Sequence, residues 1–199
     1  TQNDINKEQA LLQDFVSRRV DGVILVVGSD GPERPELEYL LTHNIPIVAI
    51  GEISGYNCPS ATVDYKAGGV LAARHLAELG HERVAALTLP FGAYGVEERA
   101  AGFIETARQC RMSVDHYQIR RRSNSESPLW NLKQMVTESH FRALQLLKKR
   151  QHTAFFAEND EVALGIVKAA MELEIEIPQQ LSIVGFDDSF TASFSPVPL

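Results

Sequence analysis

The residues best placed to do chemistry sit at the ends of two short apolar runs. Ala154-Phe-Phe-Ala-Glu-Asn-Asp160 reads as a strand that opens a helix, and Leu181-Ser-Ile-Val-Gly-Phe-Asp-Asp-Ser189 reads as the strand that follows it. Short polar residues just past a strand's carboxyl end stand where open α/β sheets bind ligands. Asn159 and Asp160 can cap the free amides of the helix they open or face a ligand, and Gly185 and Asp187 close the second strand. The pair Asp187-Asp188 hints at a metal, but no further carboxylates cluster around it in sequence, so no metal site is expected. There is no Gly-x-Gly-x-x-Gly, Walker or Gly-x-Ser-x-Gly pattern, so neither an enzyme nor a cofactor is expected. The chemistry is that of a hydrogen-bonding cleft.

Composition agrees with a binding domain and excludes several alternatives. The 199 residues are 44% apolar, enough for a sizeable core or two small lobes. A formal net charge of -7 gives this segment no electrostatic footprint for nucleic acid, and the basic triplet Arg120-Arg-Arg122 reads as solvated surface. No apolar run is long enough to cross a bilayer, and Thr1-Gln-Asn-Asp4 has no signal-peptide character, so the expected location is the cytoplasm and no membrane partner is expected. Cys58 and Cys110 have no motif spacing and read as separate thiols.

The elements that must position the polar clusters alternate along the chain, the pattern of parallel strands with helical crossovers. Helical periodicity over residues 7–18 precedes a buried strand over 22–27, and a helix over 35–42 precedes a strand over 45–50. A short strand over 60–63 leads into an amphipathic helix over 66–79 that Gly80 stops. Then come a strand over 84–89, the loop 90–95, and a helix over 96–109 whose Glu97 and Glu98 suit the positive end of its dipole. A serine-rich loop over 120–128 and a helix over 139–149 complete the pattern. Both ends read as cut: the parallel sheet begins with a helix, and Ser195-Pro-Val-Pro-Leu199 brings no closing element.

Several stretches, in order over nearly the whole chain, resemble one family. They are Arg18-Arg-Val-Asp-Gly-Val-Ile-Leu25, Asn44-Ile-Pro-Ile-Val48, Val63-Asp-Tyr65 with Gly68-Gly69, His75-Leu-Ala-Glu-Leu-Gly-His-Glu-Arg-Val-Ala85, Glu98-Arg-Ala-Ala-Gly-Phe103 and the two runs above. Together they resemble the effector-binding core of LacI-type (LacI/GalR) bacterial transcription regulators, which share a fold with periplasmic sugar-binding proteins. The resemblance implies an α/β, two-lobed, type I periplasmic-binding-protein-like fold, each lobe a doubly wound parallel sheet with helices on both faces. Residues 1–62 would be a partial N-terminal lobe and 63–199 a C-terminal lobe lacking its closing elements. The family's helix-turn-helix domain, which enters operator DNA as a dimer, has no counterpart in this sequence.

The resemblance also places effector contacts. Arg99 matches an arginine whose planar fork can grip two oxygens; the bland alternative is a surface arginine paired with Glu97 or Glu98. Asn159 matches an asparagine that offers donor and acceptor to hydroxyls, with Asp160 left as the helix cap. Asp187 matches a carboxylate that accepts from vicinal hydroxyls or a base nitrogen, while Asp188 would point elsewhere if the backbone stays extended. Weaker candidates are Tyr94, which can stack on a ring or anchor its loop; Trp130, near the family's aromatic platform but better suited to a core or surface role; and Asp64, which with Tyr65 lies where the chain should cross between lobes. His75 and His81 suit packing or capping. The implied function is sensing: a small polar effector, a sugar, sugar phosphate or nucleoside/purine, binds between the lobes and changes how a homodimer grips operator DNA. A periplasmic-type solute-binding protein for sugar transport is the alternative.

Overall fold

The computed structural model describes residues 5–26, 35–51, 57–90, 95–120 and 131–199. Its strands pair in parallel and the intervening helices return the chain. By contacts the chain divides into two compact units; their described residues run up to Asp64 in the first and from Tyr65 in the second.

The first unit contains α1 (Ile5–Ser17), β1 (Val23–Val26), α2 (Pro35–Thr42), β2 (Ile47–Ile50) and the two-residue β3 (Ser60–Ala61). The strands pair in parallel in the order β1, β2, β3, with Val23 beside Ile47 and Ile50 beside Ala61. Leu12 of α1 and Leu37 and Leu40 of α2 pack on Val23, Ile47 and Ala49, one face of the sheet. The strand over 22–27 was expected to be buried throughout. It is buried on that face alone: Ile24 is 72% exposed and Val26 is 69% exposed, because among the described residues both helices cover the same side.

The second unit contains α3 (Tyr65–Glu78), β4 (Arg83–Thr88), α4 (Val96–Gln109), β5 (Ser113–Gln118), α5 (Leu132–Leu147), β6 (Ala154–Ala157), α6 (Asp160–Glu172) and β7 (Ser182–Val184), followed by a 3-10 turn at Phe190–Phe194. All strands are parallel in the order β5, β4, β6, β7, and Leu87 lies beside Ala157 and Phe156 beside Val184. Cores form on both faces. Ala72, Leu76, Phe103 and Phe156 pack on one, where the Phe103 and Phe156 rings stack at 4.4 Å. Leu87, Phe155, Leu146 and Ile166 pack on the other.

Glycines set how closely the helices approach. A methyl group at Gly69 of α3 would strike the Arg99 carbonyl, and one at Gly102 of α4 would strike the Lys66 carbonyl, so α3 and α4 meet backbone to backbone. α3 ends as expected: Gly80 takes φ 83°, and the His81 N–H bonds to the Leu76 carbonyl at 3.1 Å. α5 starts seven residues earlier than its periodicity suggested, at a reciprocal capping box between Asn131 and Gln134. β5 was not foreseen, because an edge strand written Ser-Val-Asp-His-Tyr-Gln carries no continuous apolar run.

Candidate functional site

The site is built at the carboxyl ends of β6 and β7 and the first turn of α4. Gly95, at φ 80°, turns the chain into α4 and leaves room for the Tyr65 ring, which a side chain there would meet at 2.8 Å. One turn in, Arg99 is only 8% exposed. Its Nη1 donates to the Glu158 backbone carbonyl at 2.7 Å and lies 3.6 Å from Asp187 Oδ1. Its guanidinium carbon lies 4.7 Å from the Tyr65 ring centre and 4.3 Å from that of Phe186. Such cation–π contacts are worth roughly 0.5–2 kcal/mol each, more when desolvated. The surface pairing with Glu97 or Glu98 considered from sequence does not occur: Arg99 is a buried, aromatic-clamped cation facing Asp187.

Asp187 follows β7 in a turn where it and Asp188 take φ 93° and 48°. The extended backbone assumed for this pair is therefore absent; the strand has already ended at Val184. The Asp187 side chain stays 43% exposed beside the buried arginine. Burial raises its carboxyl above the usual range, Asp160 and Glu161 push the same way, and Arg99 opposes them.

The cap of α6 is Asn159, not Asp160 as expected. Asn159 is the cap of α6, accepting from the Val162 N–H at 2.9 Å through Oδ1, while its Nδ2 lies 3.7 Å from the Met135 sulfur. Asp160, at 2% exposure, instead accepts from the Ser189 N–H at 2.6 Å and so ties α6 to the turn that carries Asp187. Gly185 permits that tie, since a methyl group there would sit 2.6 Å from Asp160 Oδ1.

Sequence reasoning missed Glu158, although it adjoins Asn159. Its Oε2 accepts from the Leu89 N–H at 2.7 Å, and burial lifts its carboxyl to about 7, helped by Asp187 and Glu161 and opposed by the Leu89 hydrogen bond and Arg99. It also missed the clamp formed by Tyr65 and Phe186. The pair Gly68-Gly69 held a signal: a methyl group at Gly68 would overlap the Phe186 ring. Asp64 is exposed and belongs to the first unit. Tyr94 and Trp130 lie outside the described residues. His81 makes a side-chain hydrogen bond, its Nδ1 2.8 Å from Thr153 Oγ1.

An open hollow of about 630 Å³ runs along β7, lined by His75, Asp160, Gly185, Phe186, Asp187 and Asp188. Another, of about 610 Å³, lies between β5 and α5 and is lined by His116, Gln118, Arg120, Glu138 and Arg142. The first contains Asp187 and the strand ends; the second contains none of the residues singled out for an effector. Among the described residues no three His, Cys, Asp or Glu side chains are placed to hold a metal ion.

A doubly wound unit with a charged, partly open site at its strand ends defines a ligand-binding α/β domain. Over residues 73–199 the chain matches the periplasmic binding protein-like domain model, and it belongs to that family as an effector-binding core of the LacI type. It is 31% identical over its full length to the arabinose metabolism transcriptional repressor of Geobacillus stearothermophilus, of which it covers 54%. A crystal structure of a periplasmic binding protein/LacI transcriptional regulator from Alkaliphilus metalliredigens with D-xylulofuranose superposes with a TM-score of 0.73 at 25% identity, covering 96% of this chain and 65% of that one. The lac repressor dimer bound to operator and the anti-inducer ONPF gives a TM-score of 0.77 at 20% identity, covering 99% and 65%, a likeness of fold. The chain thus spans about half the length of the curated relatives it matches. Among the described residues no helix is long and apolar enough to cross a membrane.

Proposed function

We propose that this chain is the ligand-sensing core of a transcriptional repressor, with its two compact units as lobes, and that it binds a small polar effector, a sugar or sugar derivative. Effector binding is coupled to operator DNA through a DNA-reading domain of the longer protein, which acts as a homodimer in the cytoplasm and catalyses no reaction. The observation that carries this reading is the Arg99–Asp187 pair, a buried cation facing a half-exposed carboxylate at the strand ends. Asp187 accepts from sugar hydroxyls, and Arg99 orients it. The sugar class is supported by the relative named for arabinose metabolism and by the relative holding D-xylulofuranose. Dimeric action on an operator is supported by the lac repressor complex. Asn159, Asp64, Tyr94 and Trp130 remain in the proposed contact set, Asn159 through its amide nitrogen.

A thermal-shift screen over sugars, sugar phosphates, polyols, nucleosides and purines tests this. An effector at a hundredfold its Kd adds about 2.7 kcal/mol, several degrees for this size. Arg99→Ala and Asp187→Ala should each abolish that shift, with Asp187→Ala still folding cooperatively. Shifts of wild-type size in both variants would refute the site.

A further inference from the structure

The hollow of about 610 Å³ between β5 and α5 holds none of the residues of the strand-end site. It lies at the opposite edge of the same sheet, whose strand order is β5, β4, β6, β7. Its volume is within the roughly 300–1,000 Å³ of small-molecule sites. Two arginines line it, Arg120 after β5 and Arg142 on α5, and neither makes an ion pair among the described residues of a chain whose net charge is -7. Arg142 rests on an aromatic face, its guanidinium carbon 5.0 Å from the Tyr117 ring centre. Nη1 donates to the neutral Gln145 Oε1 at 3.2 Å, and Nε has no hydrogen-bond partner among the described residues. Buried donors are paired in the large majority of cases, so this guanidinium is left under-compensated by the fold. Glu138 is the one carboxyl among the described lining residues, and burial lowers the His116 pKa and so favours its neutral ring. Two cations against one carboxyl leave the wall one positive charge in excess.

We propose that this hollow is a second ligand site, separate from Arg99 and Asp187, that takes a monocarboxylate carrying an aromatic body. The planar fork of Arg142, held on Tyr117, matches the two oxygens of a carboxylate, and Arg120 adds a second cation. One negative charge balances the wall. A phosphate, with a charge of about -1.5 to -2, overfills it beside Glu138. Phe141, 39% exposed in the same wall, gives the aromatic body a ring to pack on. The edge strand contributes as well: Ser113 and Ile119 donate their N–H groups toward β4, so Gln118, at the alternate position, turns its own away from β4. The site stands on these residues alone and is independent of the sensor reading.

The test is a ¹H–¹⁵N NMR titration with benzoate, phenylacetate and 3-phenylpropionate, each beside its primary amide, and with inorganic phosphate. At least one carboxylate should bind with a Kd of about 1 mM or tighter, and at least about tenfold more tightly than its amide and than phosphate. The amides of Gln118 and Gln145 should shift, and those of Gly185 and Ser189 should not. Arg142→Gln should weaken the bound carboxylate about tenfold, and Arg120→Gln, at an exposed position that spares the fold, at least about threefold. Binding weaker than about 1 mM by all three carboxylates overturns the proposal, as does an amide or phosphate bound as tightly as the carboxylate. Shifts centred on Gly185 and Ser189, or wild-type affinity in either variant, overturn it too, since the anion would then sit elsewhere.

Discussion

The two units carry the same kind of strand and treat it differently. In the second, β4 and β6 are buried on both faces because α3 and α4 cover one side and α5 and α6 the other. In the first, β1 and β2 bury Val23, Ile47 and Ala49 under α1 and α2 and leave Ile24, Val26, Val48 and Ile50 exposed. The contrast shows that an apolar run reports the capacity to be covered twice, while the cover itself comes from helices elsewhere in the chain. It also explains where the site lies: a sheet fixed on both sides can hold Arg99, Glu158 and Asp187 in register, because each projects from an element end that the two cores immobilise.

The comparison can be broken most sharply at Phe156. Its ring stacks on Phe103 in the doubly covered sheet, and Phe156→Ala should cost about 3–5 kcal/mol in urea unfolding. A loss under about 1 kcal/mol would mean the second core is not packed as described. Next is the charge held in that core. Glu158 binds its proton more tightly folded than unfolded, since its carboxyl is lifted from 4.5 to about 7. Wild-type stability should therefore fall as pH rises from about 4.5 to 7 and level off above, a change of about 3 kcal/mol at most. Glu158→Gln should remove most of that slope in pH-dependent unfolding; an unchanged slope would place the titrating group elsewhere. The smallest effect belongs to the bare face of the first unit, where Ile24→Ser should change stability by no more than about 0.5 kcal/mol. A loss above about 1 kcal/mol would show that face covered in solution.

Much of this was legible in the sequence. Helices α2 and α4 fall on the expected residues, and the glycine stop after α3 holds, because periodicity, first-turn acids and a C-terminal glycine are local signals. The start of α5 and the edge strand β5 were not, since one rests on a side-chain cap without apolar residues and the other on pairing with a distant strand. Within the site, the family resemblance pointed at Arg99, Asn159 and Asp187, but local reasoning gave the α6 cap to Asp160. Asp160 is drawn away by Ser189, 29 residues on, and only the fold reveals that partner. Glu158 escaped notice for a related reason: a glutamate among strand-end polar residues looks solvated until Leu89 and Arg99 close around it.

The most direct measurement is a crystal structure of the protein with the sugar that gives the largest thermal shift. The account predicts the sugar at the strand ends of the second unit, with hydroxyls donating to the Asp187 carboxylate beside Arg99. A sugar seated instead between β5 and α5, against Gln118, Arg120 and Arg142, would contradict it.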